Sequence, residues 1–155
     1  KIQIAAAQTT RQQQSQRLHV SNHNSNYAII LQSSVFFHNY RHTSNALAIY
    51  QSLKQHGGFT DDHILLFLGD EVACNERNPI KDTILPYRTN PHTQNIDLTH
   101  VGSSGEEVEV DYGGEDVTVD NFLRVLQGRH HPFTPASQRL PLTMNSDSNL
   151  FIYIT

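Results

Sequence analysis

The chain has little cysteine, little positive charge and no long apolar run, and each shortage excludes a class of protein. Its single cysteine, Cys74, excludes an internal disulfide framework and a zinc site built from cysteines within this chain. Eleven Lys and Arg against fifteen Asp and Glu give a formal charge of −4, so charge does not favour nucleic acid as a partner. No apolar run approaches the roughly 20 residues of a membrane-spanning helix.

The composition along the chain divides it into a leader and one domain. Residues 1–26 are predicted to be a flexible leader, because residues 9–26 are rich in Gln, Ser and Asn and offer little to bury. Residues 27–155 are long enough for one hydrophobic core, and we expect them to be the N-terminal part of a domain.

The first half of this domain follows a strand–helix–strand pattern. Tyr27 opens a short apolar run typical of a buried strand. Residues 44–56 are predicted to form a helix, which Gly57 and Gly58 end. A second buried strand is predicted at 63–68. Because these strands are almost continuously apolar, the pattern predicts a parallel sheet covered on both faces.

The second half is less regular. Prolines break the stretch 75–100, which is predicted to run over the surface. Alternation at 107–111 predicts a half-exposed strand, which 117–119 could complete as a hairpin. Thr118 is also predicted to cap a helix in which Phe122 and Leu126 share one face and which Gly128 ends. Residues 150–154 predict a third core strand, which we expect to be incompletely covered and prone to aggregation.

Three motifs together resemble one family. Residues 37–42 (FHNYRH) follow the first strand, 114–118 (GEDVT) lead into 121–129 (NFLRVLQGR), and the chain ends with 149–155 (NLFIYIT). In order and approximate spacing, this set resembles the legumain-like cysteine peptidases. The resemblance implies a caspase-like α/β fold of three layers with a mostly parallel sheet, here truncated after the third core strand.

Two further segments are similar to one branch of that family, the catalytic subunits of GPI transamidases. They are 73–79 (ACNERNP), in which Glu76 stands where the branch has proline, and 108–112 (VEVDY). The resemblance implies a parent enzyme of the endoplasmic reticulum lumen, held at the membrane by its complex or by a segment outside this chain. It would cleave a C-terminal signal through a thioester and transfer the protein to a GPI lipid.

The polar residues after the first strand are the candidate active-site residues. Functional groups collect at the carboxyl ends of parallel strands, although an asparagine there is also an ordinary turn residue. The resemblance implies that Asn39 orients a catalytic histidine, which we expect beyond Thr155 together with the nucleophilic cysteine. It also implies that Arg41 and His42 line the substrate pocket. The alternative is that these two residues only flank the first helix.

Cys74 has three open interpretations: a buried thiol, a nucleophile, or half of an intermolecular disulfide. It lies in a loop without a neighbouring base motif, which argues against a nucleophile. The resemblance implies a disulfide with another subunit of the transamidase complex.

The carboxylates at 107, 109 and 111 alternate, so they share one face of the predicted strand. Pattern alone favours a solvated acidic face, whereas hard oxygen ligands on one face also suit Ca²⁺. The resemblance implies a structural cation site formed by Asp61, the Ile64 carbonyl, Glu109 and Asp111. No cofactor is needed for the acyl transfer itself.

Two other functions remain open at this point. A legumain-like asparaginyl endopeptidase would hydrolyse its thioester with water, and Cys74 argues against it. A non-catalytic interaction subunit of the same fold would lack the catalytic histidine and cysteine.

Overall fold

The computed structural model describes residues 26–86, 97–101, 105–140, 144 and 148–155. The predicted leader therefore lies outside the described residues, except for Asn26, which is the first residue of strand β1. The long elements are strands β1 (Asn26–Gln32), β2 (Ile64–Leu68) and β6 (Asn149–Ile154) and helices α1 (Tyr40–His56) and α2 (Val119–Leu126).

The main sheet is parallel, as predicted. Its strand order is β5-β2-β1-β6, where β5 is the short strand Tyr112–Gly113. Strand β1 lies in the centre, with Ile29 opposite Leu65 of β2 and Ile152 of β6. Parallel neighbours need long crossover connections, and α1 provides the one between β1 and β2.

Both faces of the sheet are covered, so the predicted three-layer α/β architecture is confirmed. On one face, Ala28 and Ile30 of β1 pack with Leu47 of α1. On the other face, Ile29 packs in a separate cluster with Val125 of α2. Successive β1 residues therefore point into different cores, which explains why the strand is apolar throughout.

Helix α1 begins earlier than predicted, at Tyr40 instead of position 44. A short 3-10 turn, Phe37–Asn39, leads directly into it. Its buried residues recur at helical spacing: Thr43, Ser44, Ala46, Leu47, Tyr50 and Gln51. At its end, the Leu53 carbonyl accepts hydrogen bonds from the amides of Gly57 and Phe59. A Cβ added to Gly57 would lie 2.7 Å from that carbonyl oxygen, so the glycine is needed there.

The stretch predicted as a surface excursion, 75–100, does run mostly over the surface in its described parts, but it buries two side chains that the prediction did not include. Ile84 is 1% exposed and Leu98 is 3% exposed. The Leu85 amide donates to the Tyr40 hydroxyl at 2.6 Å, and its carbonyl accepts from Ser44 Oγ at 2.9 Å. Proline excluded a helix, but the segment still packs on α1. Residues 87–96 lie outside the described part.

The prediction of a strand at 107–111 was largely wrong. Only Glu106–Glu107 (β4) is a strand there, paired antiparallel with His100–Val101 (β3). Val108 is buried, but Val110 is 43% exposed, so the alternation does not continue. The chain instead reaches β2, where Tyr112 pairs with Phe67 in parallel.

The predicted hairpin at 117–119 does not form, because Val119 is the first residue of α2. The predicted cap is confirmed: the Asn121 amide donates to Thr118 Oγ1 at 3.1 Å. Val125 supplies the buried contact of this helix at 1% exposure, whereas Leu126 is 37% exposed. Phe122 packs against the same cluster as Val125, so the predicted face is confirmed at Phe122 and wrong at Leu126.

Strand β6 forms where a core strand was predicted, but it lies at one side of this sheet, beside β1 alone. Phe151, Ile152 and Ile154 are 43%, 42% and 59% exposed. These three side chains are therefore only partly covered by the described residues. Among the described residues, no helix combines the length and apolarity that crossing a bilayer requires.

A loop at the carboxyl end of the sheet and an acidic cavity

The carboxyl ends of β1, β2 and β6 are held together by backbone hydrogen bonds. Thr155, which follows β6, makes two backbone hydrogen bonds to the end of β1. Its carbonyl accepts from the Ser33 amide, and its amide donates to the Leu31 carbonyl, both at 2.9 Å. Gln32, which is fully buried, accepts from the Gly69 amide through Oε1 at 2.8 Å. Gln32 was not predicted as a functional residue, although a glutamine at the end of an apolar strand is a signal in the sequence.

The loop after β1 is strained and fixed to β2. Phe36 has a φ of 74°, a left-handed value that is uncommon for a residue with a side chain. Its amide donates to Asp70 Oδ2 at 2.6 Å, which ties this loop to the loop after β2. Strained residues of this kind cost about 1–3 kcal/mol and cluster at functional sites.

Asn39 lies in this loop, immediately before α1. Its backbone amide donates to the Phe36 carbonyl at 3.0 Å, and its side-chain Nδ2 donates to the Val35 carbonyl at 2.9 Å. The second bond is typical of a turn asparagine, and it also fixes the orientation of the side chain. Because Nδ2 is the donor to Val35, the amide oxygen Oδ1 is the atom that can accept a further hydrogen bond.

The structure separates Arg41 from His42. The His42 ring nitrogen Nδ1 is hydrogen-bonded to Thr155 Oγ1 at the end of β6, so His42 is part of the carboxyl edge. Arg41 is exposed and lines an apolar cavity of about 500 Å³ with Tyr40, Ile80 and Leu85. Of these two residues, only His42 therefore contacts the end of β6, beyond which the catalytic histidine is predicted.

The four residues predicted to bind a cation do come together. Asp61, Ile64, Glu109 and Asp111 line one cavity of about 20 Å³, with Asp62, Tyr50 and Ser137. This volume holds about one water molecule or one ion. Asp61 lies in the 3-10 turn before β2, whereas Glu109 and Asp111 come from the segment before β5.

Asp61 already has two partners from α1, Tyr50 and Lys54. The Tyr50 hydroxyl donates to Asp61 Oδ1, and the Lys54 ammonium donates to Oδ2. Burial alone would raise the pKa of Asp61, but the hydrogen bonds from Lys54 and Tyr50 hold it below its usual value. Neither partner was recognised in the sequence, where both look like ordinary helix residues.

Asp111 has the opposite electrostatics. Its Oδ2 accepts from the Leu66 amide at 2.8 Å, and its own amide donates to the Leu66 carbonyl at 3.0 Å. Burial, together with the negative charges of Glu109 and Asp61, nevertheless raises the pKa of Asp111 to about 7. The Asp111 carboxylate therefore lacks sufficient positive charge nearby.

The donor set of the cavity suits Ca²⁺, which prefers carboxylate and carbonyl oxygens. The side chains are not yet arranged for it, however. Among the described residues, no three or more His, Cys, Asp or Glu side chains stand together as metal ligands. Because Lys54 occupies one oxygen of Asp61, a cation would have to compete with that ammonium.

Cys74 ends the 3-10 turn Val72–Cys74 and is exposed, so the buried-thiol interpretation is wrong. A hydrogen bond to Asp82 raises the pKa of the thiol, which reduces the thiolate available for nucleophilic attack. Exposure is compatible with a disulfide to another chain, which stays a prediction.

Comparisons with known proteins agree with the fold and the motifs. Residues 26–155 match the Peptidase C13 family, and the chain belongs to this family. It is 42% identical over 142 residues to the human GPI-anchor transamidase, a match that covers 92% of this chain and 33% of the human protein. It is 43% identical over 135 residues to the Schizosaccharomyces pombe GPI-anchor transamidase, covering 87% of this chain and 32% of that protein.

The pig GPI-anchor transamidase is 41% identical over 152 residues, covering 98% of this chain and 35% of its own length. The resemblance inferred from the motifs is thus confirmed. The chain spans about a third of the length of these relatives.

Proposed function

We propose that this chain is part of a cysteine-type GPI-anchor transamidase, which cleaves a C-terminal signal from a protein and transfers that protein to a GPI lipid. The observation that carries the proposal is the joining of residues 37–42 to the end of β6 through the His42–Thr155 hydrogen bond. Family membership and the names of the relatives support it. The parent enzyme would work in the endoplasmic reticulum lumen, inside a membrane complex.

The reaction is an acyl transfer in two steps. A cysteine thiolate attacks the scissile carbonyl carbon, the C–N bond breaks, and the departing amine takes a proton from a histidine. The resulting thioester is attacked by an amine of the GPI lipid, which loses a proton to the histidine as the thiolate leaves. We expect this histidine and cysteine outside the present chain, beyond Thr155.

Asn39 would act as a positioning residue in this reaction. Its Nδ2 is engaged by the Val35 carbonyl, so Oδ1 would accept the ring N–H of the catalytic histidine and fix the tautomer of that ring. His42, fixed on Thr155, would line the substrate pocket beside it. Arg41 would line this pocket only after turning away from the cavity that it shares with Tyr40, Ile80 and Leu85.

The other predicted sites would support the enzyme structurally. The cavity formed by Asp61, Ile64, Glu109 and Asp111 would bind Ca²⁺ when its ammonium partner Lys54 moves aside. Cys74 would form a disulfide with another subunit, since it is exposed on the surface.

The proposal is tested by the fate of the thioester in the full-length protein within its complex. A substrate carrying a C-terminal signal is supplied with ethylamine, and the amide and the acid products are measured. We expect the amide to predominate. Predominant hydrolysis would favour the legumain-like endopeptidase, and the absence of both products would favour the non-catalytic subunit.

The role of Asn39 is tested in the same assay. We expect Asn39→Ala to lower kcat on the order of 100-fold with little change in KM, because a misplaced imidazole reacts poorly. Asn39→Asp keeps an acceptor oxygen but loses the Nδ2 donor to the Val35 carbonyl, so it should recover only part of the rate. Asn45→Ala, on an exposed position of α1, is the matched control. An Asn39→Ala enzyme with an unchanged rate would disprove the orienting role.

A further inference from the structure

The loop after β2 is attached to the loop after β1 at two points. At the first, the Gly69 amide donates to both the backbone carbonyl and the side-chain Oε1 of Gln32, each at 2.8 Å. This attachment continues the parallel pairing of β1 with β2. At the second, Asp70 Oδ2 accepts from the Phe36 amide at 2.6 Å. The second attachment therefore depends on one carboxylate side chain.

Phe36 needs such an attachment, because its backbone has an unfavourable conformation. Its φ of 74° and ψ of 145° lie close to a region that is essentially restricted to glycine. Its ring is 65% exposed and stacks on His38, an exposed residue of the same loop. Because a ring so exposed offers little packing, we expect the hydrogen bond to Asp70 to hold this conformation in place.

The amide that Asp70 binds belongs to the same planar peptide group as the Val35 carbonyl. That carbonyl accepts from Asn39 Nδ2 at 2.9 Å. In a trans peptide the N–H and the C=O point in opposite directions, so Asp70 and the Asn39 side chain hold opposite sides of one rigid group. A carboxylate that accepts from the N–H also polarises the group, which makes its carbonyl a stronger acceptor for Asn39.

We propose that Asp70 is a positioning residue for the acyl transfer and acts on the catalytic histidine through Asn39. By fixing the peptide group between Val35 and Phe36, it sets the direction in which Asn39 Nδ2 donates and therefore the direction in which Oδ1 is presented. The inference rests on the proposed function, and in particular on the orienting role of Asn39. It adds a residue of the other loop to the groups that place the imidazole.

Asp70→Ala in the full-length protein within its complex tests the inference, with the combined rate of amide and acid formation as the readout. We expect kcat to fall about tenfold and KM to change less than about twofold, because the substrate still binds while the imidazole is held less precisely. Asp70→Asn keeps an uncharged acceptor oxygen and should lose only about threefold. Glu71→Gln, at the exposed next position, removes the same charge but leaves the bond to Phe36 in place and is the matched control.

A double-mutant cycle separates positioning from a general structural role. In an Asn39→Ala background the side chain that Asp70 positions is gone, so Asp70→Ala should lower kcat by less than about twofold. A loss that is equally large with and without the Asn39 side chain would overturn the inference, because Asp70 would then act elsewhere.

The variants are expected to fold, because Gln32 still attaches the two loops through Gly69. Thermal unfolding of each variant checks this expectation. Should Asp70→Ala not fold, the same cycle with Asp70→Asn gives the answer, because Asn nearly preserves the shape of the side chain. Its threefold loss should disappear in the Asn39→Ala background, and an undiminished loss would again overturn the inference.

The outcomes separate this inference from the proposed function. If the wild-type protein forms neither product, or if Asn39→Ala keeps the full rate, the role proposed for Asn39 is wrong and this inference is wrong with it. If Asn39→Ala slows the reaction but Asp70→Ala leaves kcat unchanged, Asp70 is not a positioning residue, and only this inference is rejected.

Discussion

Two half-buried carboxylates, Asp97 and Asp111, have opposite surroundings. Asp97 is surrounded by donors: the Ile84 amide at 3.2 Å, the Thr99 amide at 3.0 Å and hydroxyl at 2.7 Å, and His100 Nδ1 at 3.1 Å. Asp111 accepts from the Leu66 amide, but it also lines a cavity with Glu109 and Asp61.

The pKa values reflect this difference. Burial opposes ionisation of both groups, yet the donors around Asp97 hold its pKa below the usual value. The neighbouring carboxylates contribute to raising the pKa of Asp111 to about 7. The comparison indicates that the Asp97 carboxylate already has enough hydrogen-bond donors within the protein and therefore has a structural role. The Asp111 cavity lacks positive charge, which an added cation would provide.

Among the predicted changes, Asp97→Ala should have the largest effect on stability. We expect the free energy of unfolding of the full-length protein at pH 7 to fall by about 2–3 kcal/mol, because donors of Ile84 and Thr99 lose their acceptor. Since the folded pKa of Asp97 is lowered, its contribution is complete above the unfolded value. The difference between wild type and variant should therefore shrink as the pH falls below about 4. Chemical denaturation at pH 7 and pH 3 measures it, and a difference independent of pH would contradict it.

Calcium should act on the acidic cavity and not on Asp97. At a Ca²⁺ concentration roughly thirty times its Kd, we expect the free energy of unfolding to rise by about 2 kcal/mol in the wild type and equally in Asp97→Ala. Thermal unfolding with Ca²⁺ and with a chelator measures this increase. No stabilisation by Ca²⁺ at millimolar concentration would show that the cavity is not a cation site.

Lys54→Met sharpens the comparison by removing the ammonium that pairs with Asp61. Without Ca²⁺ we expect a loss of about 1 kcal/mol, because the Asp61 carboxylate then has only Tyr50 as a side-chain donor. With Lys54 gone, the cation no longer competes for Asp61, so Ca²⁺ should bind more tightly. Calorimetric titration measures the affinity, and weaker binding would indicate that Lys54 does not oppose the cation.

The smallest effect is expected for Glu109→Gln without Ca²⁺. Removing one charge relieves repulsion with Asp111, so the protein should gain a few tenths of a kcal/mol or lose nothing. The same change should weaken Ca²⁺ binding by at least about tenfold. Glu115→Gln, an exposed residue outside the cavity, is the matched control. Equal Ca²⁺ affinity in both variants would exclude Glu109 as a ligand.

Apolar periodicity and the positions of glycine predicted those parts of the fold that depend on residues close together in the sequence. Strands β1 and β2 are uniformly apolar because both faces of the sheet are covered, and Gly57 ends α1 through its close approach to Leu53. The failure at 107–111 has a different origin. Alternation of apolar and acidic residues there predicted a strand. The course of the chain is instead determined by parallel pairing of Tyr112 with Phe67 of β2, which is distant in the sequence. A local pattern does not show such a long-range pairing.

The sequence predicted those candidate site residues that come directly after the end of a strand. Asn39 and His42 come directly after β1, so the parallel sheet alone indicated their position. The cation cavity required the resemblance, because it joins Asp61 to residues almost 50 positions later. Tyr50 and Lys54 could not be found from sequence, since a helix pattern assigns one to the core and the other to solvent.

Helix α1 contacts both regions that carry the proposals. Asn39 and His42 lie at its first turn, and Tyr50 and Lys54 contact Asp61 near its other end. Fifteen residues of helix span about 22 Å. If such a rod pivots by about 5° at the Lys54 end, its opposite end moves by about 2 Å, which is enough to break a hydrogen bond. A displacement of α1 at the acidic cavity would therefore be transmitted along the helix to Asn39 and His42 at its other end.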